Sequence, residues 1–177
     1  NDGDITVSAS SEYGYATAVG IKATSDGDAI IENTGSISAT ALVSYGDYNG
    51  YATTASAIGI DASGYSVSIY NTGDINAFAS NDLYFGASVA IGINAEAYAD
   101  ITISNSGDIT LSGSSGDGYT RIGYWPNYIY VTGDFTGTGI NAESTIGSIS
   151  VENSGNITIT SLNETGVAGG YQTGDKL

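Results

Sequence analysis

Gly92-Ile93-Asn94-Ala95, followed shortly by Ile101-Thr102-Ile103-Ser104-Asn105-Ser106-Gly107-Asp108-Ile109, is the passage on which the reading of this chain turns. From Ile101 to Asn105 apolar and polar residues alternate at period two, the pattern of a strand with one buried face. The alternation pauses at Asn105-Ser106-Gly107, residue types that favour turns, and resumes at Ile109. Both parts of the passage recur. Asn-x-Gly-x-Ile occurs five times, at Asn1–Ile5, Asn33–Ile37, Asn71–Ile75, Asn105–Ile109 and Asn153–Ile157. Gly-Ile-x-Ala occurs four times, at Gly20–Ala23, Gly59–Ala62, Gly92–Ala95 and Gly139–Ala142, and the two motifs alternate along the chain.

The spacings separate a constant frame from a variable corner. From the Ile of Gly-Ile-x-Ala to the next repeat Asn is 12, 11, 12 and 13 residues. From the Ile of Asn-x-Gly-x-Ile to the Ile of the next Gly-Ile it is 16, 23, 18 and 31. Loop-closure entropy grows slowly with length, so one corner of a coil can absorb such insertions. The expected fold is all-β, a right-handed parallel β-helix of about five coils with three short strands each. One strand carries Ile21 and Ala23, or Ile58, Ile60 and Ala62, or Ile91, Ile93 and Ala95. The next carries pairs such as Ile101 and Ile103, and the third pairs such as Ile109 and Leu111. Residues 1–177 form a single domain, with variable-corner loops at 8–18, 41–56, 79–87 and 112–138. A partial coil is expected over 163–177, where Gln172-Thr173-Gly174-Asp175 imitates the Asn-x-Gly turn.

Stacked coils put like residue on like. Asn1, Asn33, Asn71, Asn105 and Asn153 are therefore expected to form a structural ladder, bonded to one another and to the turn backbone. The glycine two residues later is expected to supply a positive φ. Open solenoid ends expose strand edges, so either the chain is a segment of a longer rod or copies stack end to end.

Composition narrows the partners. The chain carries 19 acidic residues against 3 basic ones, a net charge of −16. That excludes nucleic acid, because nothing could neutralise a row of phosphates. Docking on an anionic membrane is disfavoured too, and no apolar run is long enough for membrane insertion. Cys, Met and His are absent, which rules out disulfides and thiolate or imidazole metal sites.

The pattern Gly-Ile-x-Ala, then Ile-x-Asn-[Ser/Thr]-Gly-[Asp/Asn/Ser]-Ile, resembles the repeats of bacterial autotransporter passenger domains and similar large β-helical surface adhesins. The resemblance covers roughly Asn1 to Leu162. It implies secretion, an extracellular or bacterial cell-surface location, and a role in adhesion or matrix building. The translocator barrel of that family is not in this chain.

Two groups of residues are candidates for specific chemistry. Ten of the 14 Tyr fall in the variable corner, with Phe85, Phe135 and Trp125. Tyr offers stiff contact area with a polar tip, suited to a glycan or a cell-surface protein. Tyr124, Trp125, Tyr128 and Tyr130 are the best ligand or interface candidates, with Tyr45, Tyr48 and Tyr51 beside them; packing on the flank of the rod or on another copy competes with ligand binding and is preferred. Stacked acids are the second group. Asp74 and Asp108, and likewise Glu96 and Glu143, hold equivalent positions in successive coils and could share a hard cation such as calcium. Solvated acids are the plainer reading, and no cofactor is otherwise implied. The Glu pair could also serve a glycosidase, but without His or a basic substrate cradle the enzyme reading is remote. Hydroxyl pairs on the third strand, such as Thr6/Ser8 and Thr110/Ser112, would suit an ice-binding face, but Asn76/Phe78 interrupts the row. Gly137-Thr138-Gly139-Ile140-Asn141-Ala142 fits a dinucleotide motif in letters only, since no helix follows.

Overall fold

A computed structural model describes residues 1–12, 14–44, 53–82, 86–116, 120–122, 129–131, 134–162 and 167–175; for 120–122, 129–131 and 167–175 it describes the backbone alone. The described chain is β throughout. Strand β1 (Ile5–Ser11) comes first. Four complete coils follow: β2 (Tyr15–Thr24), β3 (Ala29–Asn33) and β4 (Ile37–Val43); β5 (Thr54–Gly64), β6 (Val67–Asn71) and β7 (Ile75–Asn81); β8 (Ala87–Ala97), β9 (Ile101–Asn105) and β10 (Ile109–Ser115). A short antiparallel hairpin, β11 (Thr120–Ile122) and β12 (Ile129–Val131), precedes the fourth coil. That coil is β13 (Phe135–Ser144), β14 (Ile149–Asn153) and β15 (Ile157–Ser161), after which β16 (Val167–Asp175) begins another turn.

Each strand pairs in parallel with its counterpart one coil away, giving three sheets in the orders β2-β5-β8-β13-β16, β3-β6-β9-β14 and β1-β4-β7-β10-β15. The fold is a parallel β-solenoid. Register matches like with like: Ile5, Ile37, Ile75, Ile109 and Ile157 make one column, and Ile31, Ile69, Ile103 and Val151 another. These columns form the core, with Ile37, Ile69, Ile75, Ile103 and Ile109 buried. Each such side chain contributes about 1.5–3 kcal/mol by leaving water.

The first sheet departs from simple alternation. Along β5 the buried residues are Ala55, Ala57 and Gly59, then Ile60 and Ala62, so the phase slips by one after the glycine. Pairing is interrupted at the same place, running through Ile58–Ile91 and resuming at Ile60–Ile93. Ile58 and Ile91 therefore turn outward, not inward as period two had placed them. A Cβ on Gly59 would meet the Ile75 side chain and lie 2.6 Å from the carbonyl oxygen of Gly92. The glycine is the hollow that receives the isoleucine of the opposite sheet, and the strand bends there to provide it.

The variable segments all join the sheet of β1 to the sheet of β2. The strands run further into this corner than the spacing suggested: β1 reaches Ser11, β5 begins at Thr54, β8 at Ala87 and β13 at Phe135. Phe135 is not an aromatic of the exposed corner. It is fully buried, and Gly113 leaves room for its ring. The final segment also differs from expectation. Tyr171 lies opposite Ile140 and Gln172 opposite Asn141, so β16 repeats the Gly-Ile-x-Ala strand and Gln172 does not take the place of the repeat Asn.

Candidate functional site

The repeat asparagines stand in single file where the second sheet turns into the third. Nδ2 of Asn1 donates to Oδ1 of Asn33 at 2.9 Å, Asn33 to Asn71 at 2.7 Å, Asn71 to Asn105 at 2.6 Å and Asn105 to Asn153 at 2.7 Å. The second amide hydrogen of each goes to the carbonyl of the glycine two residues on, at 2.7 Å for Asn33, Asn71, Asn105 and Asn153. Asn33, Asn71 and Asn105 are buried, and these bonds satisfy groups that water cannot reach. This file holds coils together and offers no free group to a substrate.

The glycines of the same turns have a reason other than the expected one. Gly14 is the single described residue with positive φ; Gly35, Gly73, Gly107 and Gly155 have none. A Cβ on Gly73 would fall on the carbonyl oxygen of Gly35, and one on Gly107 on that of Gly73. The coils approach so closely at this turn that only a residue without a side chain fits.

The first pair of acids is occupied by the fold. Oδ1 of Asp74 accepts the backbone N–H of Asp108 at 3.0 Å, and Oδ1 of Asp108 accepts the N–H of Asn156 at 2.8 Å. Asp4 does the same for Ser36 and Asp100 for Ser148. Each of these carboxylates caps the turn of the next coil through its Oδ1. Among the described residues no group of three or more acids could hold a metal ion. Millimolar calcium or a chelator is accordingly expected to leave the thermal melt unmoved; a rise with calcium that disappears in Asp74→Asn/Asp108→Asn would overturn the capping account.

Another file runs along the outer face of the first sheet. Asn141 donates to Asn94 at 2.9 Å, Asn94 to Asp61 at 2.9 Å, and Lys22 pairs with Asp61 at 3.1 Å. Directly beside it stand Glu96 and Glu143, paired across β8 and β13. With Ser63, Tyr98 and Ser144 they line a groove of about 320 Å³ at the turn from the first sheet to the second. Tyr98 is half exposed, and its ring centroid lies 5.6 Å from that of Tyr65 in the neighbouring coil. The structure thus brings together the second acid pair and two tyrosines that the sequence reading left aside. The signal was present: Tyr65 follows Ala62 by three residues and Tyr98 follows Ala95 by three, so both occupy one position of the constant frame.

Most of the tyrosine-rich candidates, Tyr45, Tyr48, Tyr51, Tyr124, Trp125 and Tyr128, lie outside the described residues. Tyr130 is on β12, where its backbone pairs with Arg121. On the third sheet the hydroxyl columns are real in register but broken at Asn76 and Phe78, as expected.

Fold and groove together define a parallel β-solenoid scaffold, narrow in cross-section and filled to its axis. No family model, curated protein or solved structure matches the chain.

Proposed function

We propose that the chain is an extracellular structural rod of the bacterial surface, adhesive through the segments that leave its variable corner. The observation that carries this reading is the division of labour in the repeat. The interior columns and the asparagine file serve cohesion between coils, while the differences in coil length are discharged between the same two sheets. Those segments carry nine of the 14 Tyr and the single Trp, the residue types most used in recognition surfaces. Resemblance to autotransporter passengers and β-helical adhesins supports the same location and role. The partners are a glycan or a cell-surface protein at that edge, and further copies of the chain along or beside the rod. We assign it no reaction, since the chain has no His and too few basic residues to hold an acidic polysaccharide beside the Glu pair.

Two measurements test the proposal. Displayed on non-adherent bacteria, the chain should confer attachment to host cells or matrix. Replacing residues 117–133 by a short turn should remove that attachment while the β signal in circular dichroism persists. Unchanged attachment would overturn the role given to this corner. Electron microscopy of the purified chain distinguishes the two forms of the rod: filaments with a regular axial repeat indicate a fibre subunit, and short uniform rods an adhesive module. Cleavage of a polysaccharide that is lost in Glu96→Gln/Glu143→Gln would replace the proposal by the enzymatic one.

A further inference from the structure

The groove at the constant corner is built from all four coils. Ser25, Ser63, Glu96, Tyr98 and Thr145 line it, so it runs lengthwise along the rod. Three coil steps of about 4.8 Å give it roughly 14 Å of length. Its wall is aromatic: Tyr98 is 51% exposed, with the Tyr65 ring beside it at 5.6 Å between centroids. The polar groups differ in what they have left to offer. Oγ of Ser144 donates to the Ala99 carbonyl and accepts the Gly147 N–H, and Glu143 is engaged within the chain; neither is given a part. Glu96 is exposed, and the hydrogen bond it accepts from Asn94 is long at 3.5 Å, so its carboxylate keeps acceptor sites. Thr145 is exposed as well.

These features select a class of ligand. An acidic one is repelled by Glu96 and by the net charge of −16. A purely apolar one would desolvate the carboxylate and hydroxyls of the lining without giving them partners. A hard cation needs about six to eight oxygens, and among the described residues no group of three or more acids assembles. A basic side chain gains only an exposed ion pair with Glu96, which contributes little in water. A neutral sugar suits both halves of the groove: its C–H face covers the tyrosine ring, and its hydroxyls donate to the carboxylate. We infer that the groove binds a neutral oligosaccharide laid along the rod, one ring stacked on Tyr98 and its hydroxyls donating to Glu96. Ser63 and Thr145 extend the hydroxyl lining to either side. This site stands apart from the variable corner and does not rest on the adhesive role given to residues 117–133.

The test is an array of immobilised neutral and acidic oligosaccharides probed with the labelled whole chain, followed by calorimetric titration of the best neutral one. Tyr98→Ala is expected to weaken that binding about tenfold, the loss of one aromatic contact. Glu96→Gln should weaken it about fivefold, since the amide keeps an acceptor oxygen but loses the charge. Tyr98→Phe keeps the ring and should stay within about twofold. Tyr70→Ala removes a similarly exposed tyrosine from the second sheet and should change nothing. Replacing residues 117–133 by a short turn should also leave this binding intact, which separates its failure from that of the adhesive corner. No neutral saccharide bound up to millimolar concentration, acidic saccharides bound as tightly, or full affinity in Tyr98→Ala would overturn the inference. So would equal weakening by Tyr70→Ala, or loss of binding with residues 117–133. Denaturation midpoints show whether the coils of each variant are intact. Should Tyr98→Ala unfold, Glu96→Gln carries the test, and unchanged affinity in that variant overturns the inference.

Discussion

Asn71→Ala should lower the stability of the solenoid by about 3 kcal/mol or more. The substitution removes three hydrogen bonds at once: the one Asn71 accepts from Asn33 and the two it donates, to Asn105 and to the Gly73 carbonyl. It leaves an amide hydrogen of Asn33 and Oδ1 of Asn105 buried without those partners, and each such group costs about 1–3 kcal/mol. Asn71→Asp should be worse still, because it keeps the acceptor but buries a charge against two oxygens. Asn153 makes the same kinds of bond at an exposed position, so Asn153→Ala should cost only about 1 kcal/mol. Urea titration followed by circular dichroism reads the difference. The slope must be compared along with the midpoint, since stacked coils can melt in parts. Equal midpoints for Asn71→Ala and Asn153→Ala would refute the cohesive role of the file.

The second large effect is expected at the glycine of the same turn. Gly73→Ala sets a methyl group on the carbonyl oxygen of Gly35 and 2.9 Å from that of Thr34. Both obstacles are backbone, held by the turn hydrogen bonds, and neither can rotate away. The cost is about 3 kcal/mol, at the upper end for overpacking. Gly3 occupies the same motif position in the first coil with no heavy atom near its would-be Cβ, so Gly3→Ala should move stability by no more than about 0.5 kcal/mol. Asparagine separates the two explanations for this glycine. Asn tolerates positive φ, so a conformational requirement would make Gly73→Asn mild, whereas crowding makes it at least as damaging as Ala. A mild Gly73→Asn would restore the conformational account.

The asparagine file was legible because one residue type returns at one phase in every coil, and stacking converts that phase into contact. Sequence spacing likewise located the variable corner. What it could not reveal was the cause behind a repeated residue. The glycines of Asn-x-Gly-x-Ile suggested a left-handed turn, yet the structural reason is the carbonyl of the coil beneath, a neighbour some 34 or 38 residues away. The bend at Gly59 and Gly92 was equally hidden, since period two carries straight through a glycine; Ile58 and Ile91 were assigned to the wrong face for that reason. Phe135 was grouped with the corner aromatics because it sits beside a long insertion, although Gly113 marks the space its ring fills. The Glu96–Glu143 pairing was foreseen, but not the tyrosines next to it. Tyrosine is abundant in the variable corner, while Tyr65 and Tyr98 are isolated in sequence and meet only through stacking.

The file of amides also has a sense. Nδ2 of each asparagine from Asn1 to Asn105 faces the higher-numbered coil and Oδ1 of each from Asn33 to Asn153 the lower, an orientation pinned by the glycine carbonyl that each amide also engages. Flipping one coil over would oppose hydrogen to hydrogen. The repeats are thus like tiles with an arrow printed on them: whole coils can be cut out or spliced in at equivalent asparagines, always pointing the same way, and two such rods can be fused only nose to tail.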